Sequence, residues 1–408
     1  MGSSNRPDML VTGVGVTASI GQGKKEYWSA LLSGRSAFHF MQRPGRQQES
    51  RFIGSEISAM SIPDAISSKL FRKASFSGQV SLVTLYEAWV DAKLDLADPS
   101  RIGLIIGGSN VQQREMVQIF ETYRERTEFV PPSYGLSFMD SDLCGLCTEQ
   151  FGIQGMAYTV GGASASGQLA VIQAIQEVRS GQVDICIALG AMMDLSYLEC
   201  QALRALGAMG TDRYADHPEL ACRPFDQNRD GFIYGESCGA LVIERAATAN
   251  SRQVKPYAAV TGSAVKMDAN RNPNPSLTGE VQVIQSVLQQ AGLSAREIDY
   301  LNPHGSGSPV GDETELRAIH DCGLSHVKLN TTKSITGHGL TAAGAVEIVT
   351  TLLQMRESRL HPSKNLENPL DPGLNWVGDQ SIPFGITNAL SLSFGFGGIN
   401  TAICLQNI

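Results

Sequence analysis

The sequence lacks the features that mark several other classes of protein. No apolar run reaches the roughly 18 residues that a membrane-spanning helix needs. Acidic residues outnumber basic ones by 40 to 32, and the net charge of −8 argues against a general nucleic-acid-binding protein. Residues 1–7 are polar and contain no apolar stretch of the kind found in signal peptides. We therefore expect a cytoplasmic protein that binds neither membranes nor nucleic acids.

The cysteines and the first glycines lack the partners that a metal or nucleotide site requires. Cys144 and Cys147 form a lone C-x-x-C with no second pair and no histidine nearby, so we predict neither a metal site nor a redox pair. Most of the 8 cysteines lie in apolar, Gly-rich or Ala-rich surroundings, as buried thiols of a reduced protein do. Gly13 and Gly15 begin a dinucleotide-loop pattern, but the third glycine is not at the required spacing.

Glycine is abundant, with 42 residues, and many tight turns are expected. The clearest unit is a strand at residues 158–160, a glycine turn at 161–163, a helix over 164–179 and a buried strand over 183–189. Strand, helix and strand in this order predict a parallel sheet and an α/β fold.

The pattern restarts after about residue 250. Residues 258–262 (AAVTG) echo residues 9–13 (MLVTG), and further strands and helices follow. The later predictions are a helix over 280–291, a strand over 298–302, a helix over 342–355 and a pair of strands within 390–405. We therefore predict two duplicated halves, residues 1–250 and 251–408.

Ser164 follows two glycines and an alanine and opens the predicted helix. Backbone N–H groups and the positive end of the helix surround such a side chain, as they surround nucleophiles and oxyanion holes. A serine at this position is also the usual helix N-cap, and local sequence alone favours the cap.

His304 and His338 occupy similar contexts, each in a Gly-rich loop that follows a predicted strand. A histidine at the end of a sheet strand is well placed for catalysis. Together with Ser164, the two histidines form a candidate catalytic constellation. The remaining histidines lack such settings and are predicted to lie on the surface: His39, His217, His320, His326 and His361.

Five sequence blocks carry a resemblance to a known family. They are Ala-Ser-Ala-Ser-Gly at 163–167, Arg-Pro-Phe-Asp through Gly-Glu at 223–236, the His-Gly-Ser loop at 304–312, Lys through Gly-His to Ala-Ala-Gly at 333–344, and Phe-Gly-Phe-Gly-Gly-Ile-Asn at 394–400. With these blocks the chain resembles the β-ketoacyl synthases of fatty-acid and polyketide assembly over essentially its whole length. The resemblance implies a thiolase-like five-layered α/β/α/β/α fold of two halves, and a homodimer.

The chain differs from the condensing members of that family at residue 164, where they carry the nucleophilic cysteine. A thiolate forms readily at a helix start, whereas a serine hydroxyl needs a positioned base, so condensation should be crippled. Loss of CO₂ from a malonyl thioester needs no nucleophile, only donors for the enolate oxygen. His304 and His338 are the natural donors. The chain is most similar to the free-standing decarboxylating relatives, with Ser at this position, in polyketide β-branching cassettes.

The resemblance implies roles for residues around this constellation. Lys333 and Glu315 would form a buried ion pair that supports the site. The hydroxyls of Ser306 and Ser308 would bond the phosphopantetheine amide, and Phe396 would act as a gate whose N–H completes an oxyanion hole. The partner would be an acyl carrier protein, and the enzyme itself would bind no cofactor, because the carrier's phosphopantetheine carries the substrate.

A cluster of basic residues is the candidate docking surface for that carrier. Lys69, Arg72 and Lys73 are close in sequence, and carrier proteins are acidic while this chain is acidic overall. A local basic cluster would be needed to overcome that repulsion. A solvated helix face explains the same residues almost equally well.

Two other functions stay open at the level of sequence. One is a non-catalytic partner subunit like the chain-length factors, which also lack the cysteine but typically lose histidines as well. The other is a condensing or acyl-transferring enzyme with a serine nucleophile. The sequence also leaves methylmalonyl open as a substrate, since one methyl group is worth only about 1–3 kcal/mol in a pocket.

Overall fold

The computed structural model describes residues 9–408, and residues 1–7, on which the expectation about a signal peptide rests, lie outside that range. The strands are β1 Met9–Ala18, β2 Gly21–Gln22, β3 Phe38–Phe40, β4 Ile53–Ser55, β5 Ile102–Gly107, β6 Ala157–Val160, β7 Ile185–Gly190, β8 Tyr234–Gly235, β9 Ser237–Arg245, β10 Ala258–Met267, β11 Tyr300–Asn302, β12 Lys328–Leu329, β13 Arg359–Leu360, β14 Asn375–Trp376, β15 Ile382–Pro383, β16 Asn388–Gly395 and β17 Ile399–Gln406.

The helices occur between these strands along the chain. They are α1 Gly23–Leu32, α2 Ser68–Lys73, α3 Phe76–Asp91, α4 Gln113–Tyr123, α5 Tyr134–Ser137, α6 Ser141–Phe151, α7 Ser166–Ser180, α8 Tyr197–Ala205, α9 Ala246–Ser251, α10 Leu277–Ala291, α11 Pro309–Asp321, α12 Lys333–Thr336 and α13 Ala343–Glu357. No helix within residues 9–408 is both long enough and apolar enough to cross a bilayer.

The two halves repeat one strand arrangement. In the N-terminal half the strand order is β1-β9-β7-β5-β6, with two antiparallel pairs followed by two parallel pairs. The C-terminal half has the order β10-β17-β16-β11-β12 with the same senses, and β14 extends it. The predicted duplication is therefore confirmed.

The helices form three layers around these strands. Helices α7 and α13 lie between the two sets of strands, while α3 packs on the outside of β1 and β9, and α10 on the outside of β10 and β17. Every residue of α13 from Ala343 to Met355 is buried, as expected of a helix enclosed on all sides. The result is the predicted five-layered α/β/α/β/α fold.

Two glycines bring the central helices together. A Cβ atom on Gly344 would lie 2.8 Å from Gln168 Cβ of α7, and one on Gly167 would lie 2.9 Å from the carbonyl oxygen of Thr341. Real Cβ atoms do not approach so closely, so this helix contact depends on glycine at both positions.

The predicted boundaries differ from the structure in detail. The helix expected from Ser164 begins at Ser166, after a 3₁₀ turn over Ala163–Ala165, and the following strand begins at Ile185. Strands β1 and β10 pair antiparallel, with Leu10 opposite Ala259, so the strands of both halves join in one sheet. The division of the chain near residue 250 stays a prediction.

Candidate active site

Equivalent turns of the two halves meet at the centre of the molecule. Each central helix is preceded by a 3₁₀ turn, Ala163–Ala165 before α7 and Leu340–Ala342 before α13, and the two turns are in contact. Each turn begins with a non-glycine residue in the left-handed region, Ala163 at φ 46° and Leu340 at φ 49°. Backbone strain of this kind is concentrated at functional sites, and both helix N-termini direct positive dipole ends toward this point.

Ser164 lies in the first of these turns and is not the helix cap. Its neighbour Ser166 stabilises the turn, because Ser166 Oγ accepts from the N–H of Gly162 at 2.9 Å and donates to the carbonyl of Ala163 at 2.7 Å. The half-buried Ser164 lines a cavity, and no residue between 9 and 408 makes a hydrogen bond with its Oγ. The side chain is thus free to face a ligand, and no base is bonded to it.

His338 lies just before the second turn, with 2% of its surface exposed. Its Nδ1 accepts a hydrogen bond from the N–H of Leu340 at 3.1 Å, so in the neutral ring the proton is on Nε2. Burial, with the nearby Lys333 ammonium, holds the pKa of His338 well below its usual range. The residue is therefore a neutral hydrogen-bond donor at physiological pH.

His304 faces His338 across the cavity. The ring centroids are 5.4 Å apart at an interplanar angle of 78°, and the ring of Phe394 lies 5.6 Å from His304. Burial, together with the charges of Lys333 and of a protonated His338, keeps the pKa of His304 well below its usual range. Two neutral imidazoles therefore converge on one apolar-walled space.

Glu315 and Asp312 hold the loop that carries His304. Glu315 accepts the N–H groups of His304 at 2.6 Å and of Gly305 at 2.8 Å, while Asp312 accepts that of Gly307 at 3.0 Å. Burial raises the pKa of Glu315 to about 8 and that of Asp312 to about 6, although these N–H donors oppose the shift. Both carboxyl groups position the loop, and both line the cavity.

The predicted ion pair between Lys333 and Glu315 is wrong. The ammonium of Lys333 lies 2.5 Å from Glu347 Oε1 on α13, and it also donates to the carbonyl oxygen of His304. Sequence reasoning missed Glu347, although an acid inside an otherwise apolar helix was a usable signal. Glu315 is instead engaged by backbone N–H groups, which satisfy its oxygens without Lys333.

One cavity of about 510 Å³ contains most of the predicted site residues. Ser306 and Ser308 line it, with Ser306 Oγ 3.0 Å from Ser308 Oγ. Phe396, in the turn between β16 and β17, also lines it and is 42% exposed, so its side chain has space to move. A second groove of about 730 Å³ beside α1 and α3 contains none of these residues.

Other predicted positions lie elsewhere in the structure. Lys69, Arg72 and Lys73 are exposed on α2, where the buried Phe71 anchors the helix, and they do not line the cavity. His361 was expected on the surface but is fully buried, with its Nε2 3.3 Å from Thr332 Oγ1. A histidine whose ring nitrogens both find internal partners can be buried without charge, and its sequence context does not reveal this.

This arrangement can stabilise an oxyanion but cannot readily activate a hydroxyl. The two neutral imidazoles, both lining the cavity, are donors for a developing negative charge. Activation of Ser164 would require a hydrogen-bonded base, and the described part of the chain provides none.

Known proteins of two kinds are similar over the full length. Polyketide biosynthesis malonyl-ACP decarboxylase PksF of Bacillus subtilis (strain 168) is 66% identical over 408 residues, covering 100% of this chain and 98% of that protein. The 3-oxoacyl-[acyl-carrier-protein] synthase 2 of Staphylococcus aureus (strain N315) is 31% identical over 416 residues, covering 99% of each. A crystal structure of a β-ketoacyl synthase from Burkholderia phymatum STM815 shares the fold, with a TM-score of 0.88 at 24% identity, covering 99% of this chain and 100% of that one.

Two family models match successive parts of the chain. The model of the β-ketoacyl synthase N-terminal domain matches residues 7–249, which include Ser164. The model of the C-terminal domain matches residues 257–367, which include His304, Lys333 and His338. The chain belongs to the β-ketoacyl synthase family.

Proposed function

We propose that the protein decarboxylates malonyl-acyl carrier protein to acetyl-acyl carrier protein, without condensation, in the β-branching steps of polyketide biosynthesis. The observation that carries the proposal is the pair of neutral imidazoles, His304 and His338, that face a cavity in which no residue between 9 and 408 is bonded as a base to Ser164. The name of the Bacillus subtilis relative, at 66% identity, supports the same reaction.

The chemistry follows from where charge develops. When the bond between C2 and the carboxylate breaks, CO₂ leaves and the electron pair moves onto the thioester oxygen. The imidazole N–H groups of His304 and His338 would donate to that oxygen. Because the rings of Phe232 and Phe394 lie 5.2 Å from His338 and 5.6 Å from His304, the surroundings are poorly solvating, and the charge is stabilised by fixed donors.

Ser164 has a passive role in this proposal. Its hydroxyl fills the position of the family's cysteine, and no residue that the structure describes is hydrogen-bonded to it and able to remove its proton. That arrangement disfavours the reading of an acyl-transferring serine enzyme. The intact set of His304, His338 and Lys333 disfavours a non-catalytic partner subunit, because a subunit without chemistry has no need of it.

The carrier's phosphopantetheine arm would enter past Phe396. Ser306 and Ser308 line the cavity and would bond an amide of the arm, and the N–H groups of Phe396 and Ser164 would form an oxyanion hole in addition to the two imidazole donors. The carrier itself would dock on Lys69, Arg72 and Lys73, which are exposed and form no ion pair within the described residues.

The protein would act as a cytoplasmic homodimer. All 8 cysteines are free thiols, which fits a reducing compartment. Strand β6 ends the sheet, and exposed apolar side chains occur in the segment before it, namely Phe120, Phe129, Leu136, Phe138 and Met139. An open strand edge beside exposed apolar groups favours pairing with a second copy. Light scattering at micromolar concentration tests this, and a monomer would contradict it.

The reaction is tested by incubating the protein with a carrier protein loaded with malonyl that is ¹³C-labelled at the free carboxyl. The expected products are acetyl-carrier, seen by intact-protein mass spectrometry, and labelled CO₂. Unchanged malonyl-carrier would refute the proposal.

A further inference from the structure

Decarboxylation without condensation creates a requirement that condensing enzymes do not have. In condensation the carbanion at C2 attacks an acyl group, whereas here C2 must take up a proton. His304 and His338 are neutral donors, and loss of their remaining proton would leave an imidazolate. Another group must therefore supply the proton.

Four carboxyl groups of residues 9–408 line the cavity, and three of them accept hydrogen bonds. Both oxygens of Glu315 accept backbone N–H groups, both oxygens of Asp312 accept those of Phe225 and Gly307, and Asp268 accepts the side-chain amide of Asn400 at 2.8 Å. These acids hold loops in place.

Glu280, in the first turn of α10, is the fourth and differs from the others. It is 1% exposed, lines the same cavity as Ser164 and His304, and its Oε2 is enclosed without a hydrogen-bond partner among residues 9–408. A buried carboxylate with no cation or N–H donor is costly, whereas a buried carboxylic acid is not. Burial, together with the charges of Glu315, Asp268 and Asp312, raises the pKa of Glu280 well above its usual range.

From this geometry we infer that Glu280 is the general acid that protonates C2 of the enolate. The proton of the Glu280 carboxyl passes to C2, a C–H bond forms, the thioester carbonyl is restored, and Glu280 is left as a carboxylate. A proton from water in the cavity then restores the acid, so that each turnover consumes one proton from solvent. This role rests on the proposed decarboxylation.

The test compares Glu280→Gln, which keeps the shape but carries no transferable proton, with Glu280→Asp and with Glu149→Gln, an exposed acid outside the cavity. Each variant is incubated with malonyl-carrier in the presence of ¹³CO₂. Glu280→Gln should lower kcat by about 10²-fold or more, and Glu280→Asp should recover part of the loss. Because the unprotonated enolate persists in Glu280→Gln, it should recapture CO₂, and ¹³C should appear in the remaining malonyl group.

Three results would overturn the assignment of Glu280. They are a Glu280→Gln rate within about threefold of wild type, a rise in KM with unchanged kcat, and a slow variant without ¹³C exchange. Wild type and Glu149→Gln should have equal rates and show no ¹³C exchange. Thermal unfolding identifies a variant that fails to fold. If Glu280→Gln fails to fold, the rate and the ¹³C exchange of Glu280→Asp decide the assignment. Wild type that releases no CO₂ would instead refute the proposed reaction.

Discussion

The turns that precede α7 and α13 have the same geometry but different uses. Ser164 and Thr341 each follow the residue with positive φ, and each is followed two and three positions later by a small residue and a glycine, Ser166-Gly167 and Ala343-Gly344. Both residues line the cavity, but Thr341 is buried and donates to the carbonyl of Ala191 at 2.7 Å, whereas the Ser164 hydroxyl has no hydrogen-bond partner among residues 9–408. The two halves therefore contain similar turns, of which the second uses its hydroxyl for an internal hydrogen bond and the first leaves its hydroxyl in the cavity.

The largest effect is expected when either of the two cavity histidines is replaced. His338→Ala would remove a proposed donor to the enolate oxygen and should lower the decarboxylation rate by about 10²–10³-fold, and His304→Ala should act similarly. Conversion of malonyl-carrier is followed by mass spectrometry. His326→Ala, at an exposed position, is the control and should be fully active. Near wild-type turnover by either cavity variant would refute the donor role.

A second prediction tests whether the helices that follow the two turns, α7 and α13, need their close contact. Gly344→Ala places a methyl group against Gln168 and should destabilise the protein by about 1–3 kcal/mol. Gly145→Ala is the matched control, because Gly145 lies in helix α6 and an added Cβ atom would have no neighbour within 4 Å. This variant should leave stability unchanged or increase it by about 0.4–1 kcal/mol. Denaturant unfolding measures both. Equal stability of the two variants would show that the contact can adjust.

The hydroxyl groups of Thr341 and Ser164 are expected to contribute differently to stability. Thr341→Val leaves the buried carbonyl of Ala191 without its donor and should cost about 1–3 kcal/mol of unfolding free energy. Ser164→Ala breaks no hydrogen bond and should change stability by less than about 0.5 kcal/mol. It should also keep most of the decarboxylase activity, while Ser164→Cys should keep measurable activity and accept an acyl chain. If Ser164→Ala is folded but inactive, the hydroxyl is catalytic and the comparison must be revised.

Proton binding gives a further test of the imidazoles. Since the folded-state pKa of His304 and His338 is lowered, their contribution to stability is complete above the unfolded pKa of about 6.5 and is lost as pH falls below it. The turnover of a small malonyl-pantetheine mimic should nevertheless stay constant as pH is lowered through about 6.5, because the folded enzyme keeps both rings neutral. A rate that halves near that pH would mean that a histidine donor, or Asp312 with its pKa of about 6, titrates there.

The smallest effect is expected from the basic residues of helix α2, which lie outside both turns. Charge reversal at Arg72 and Lys73 should raise the KM for malonyl-carrier several-fold, more at low salt, and leave turnover of the small mimic unchanged. Equal losses of activity with both substrates would show that this surface is not the docking site.

The sequence was sufficient for those parts of the site that depend on local pattern. Glycine turns after short strands located Ser164, His304 and His338, and the repeat of the pattern predicted the duplicated fold. The sequence did not predict which side chains pair across the fold. Lys333 has carboxylates at comparable sequence distances in Glu315 and Glu347, and only the packing of α13 places Glu347 next to it. Burial of His361 and of Glu280 likewise depends on the layers that cover them.

The most direct test of the account supplies the wild-type protein with malonyl-carrier and an acyl-carrier together and follows both carriers and the peptide that contains Ser164 by mass spectrometry. The expected result is formation of acetyl-carrier, with an unchanged acyl-carrier and an unmodified Ser164. Formation of a 3-ketoacyl-carrier, or of an acyl ester on Ser164, would contradict it.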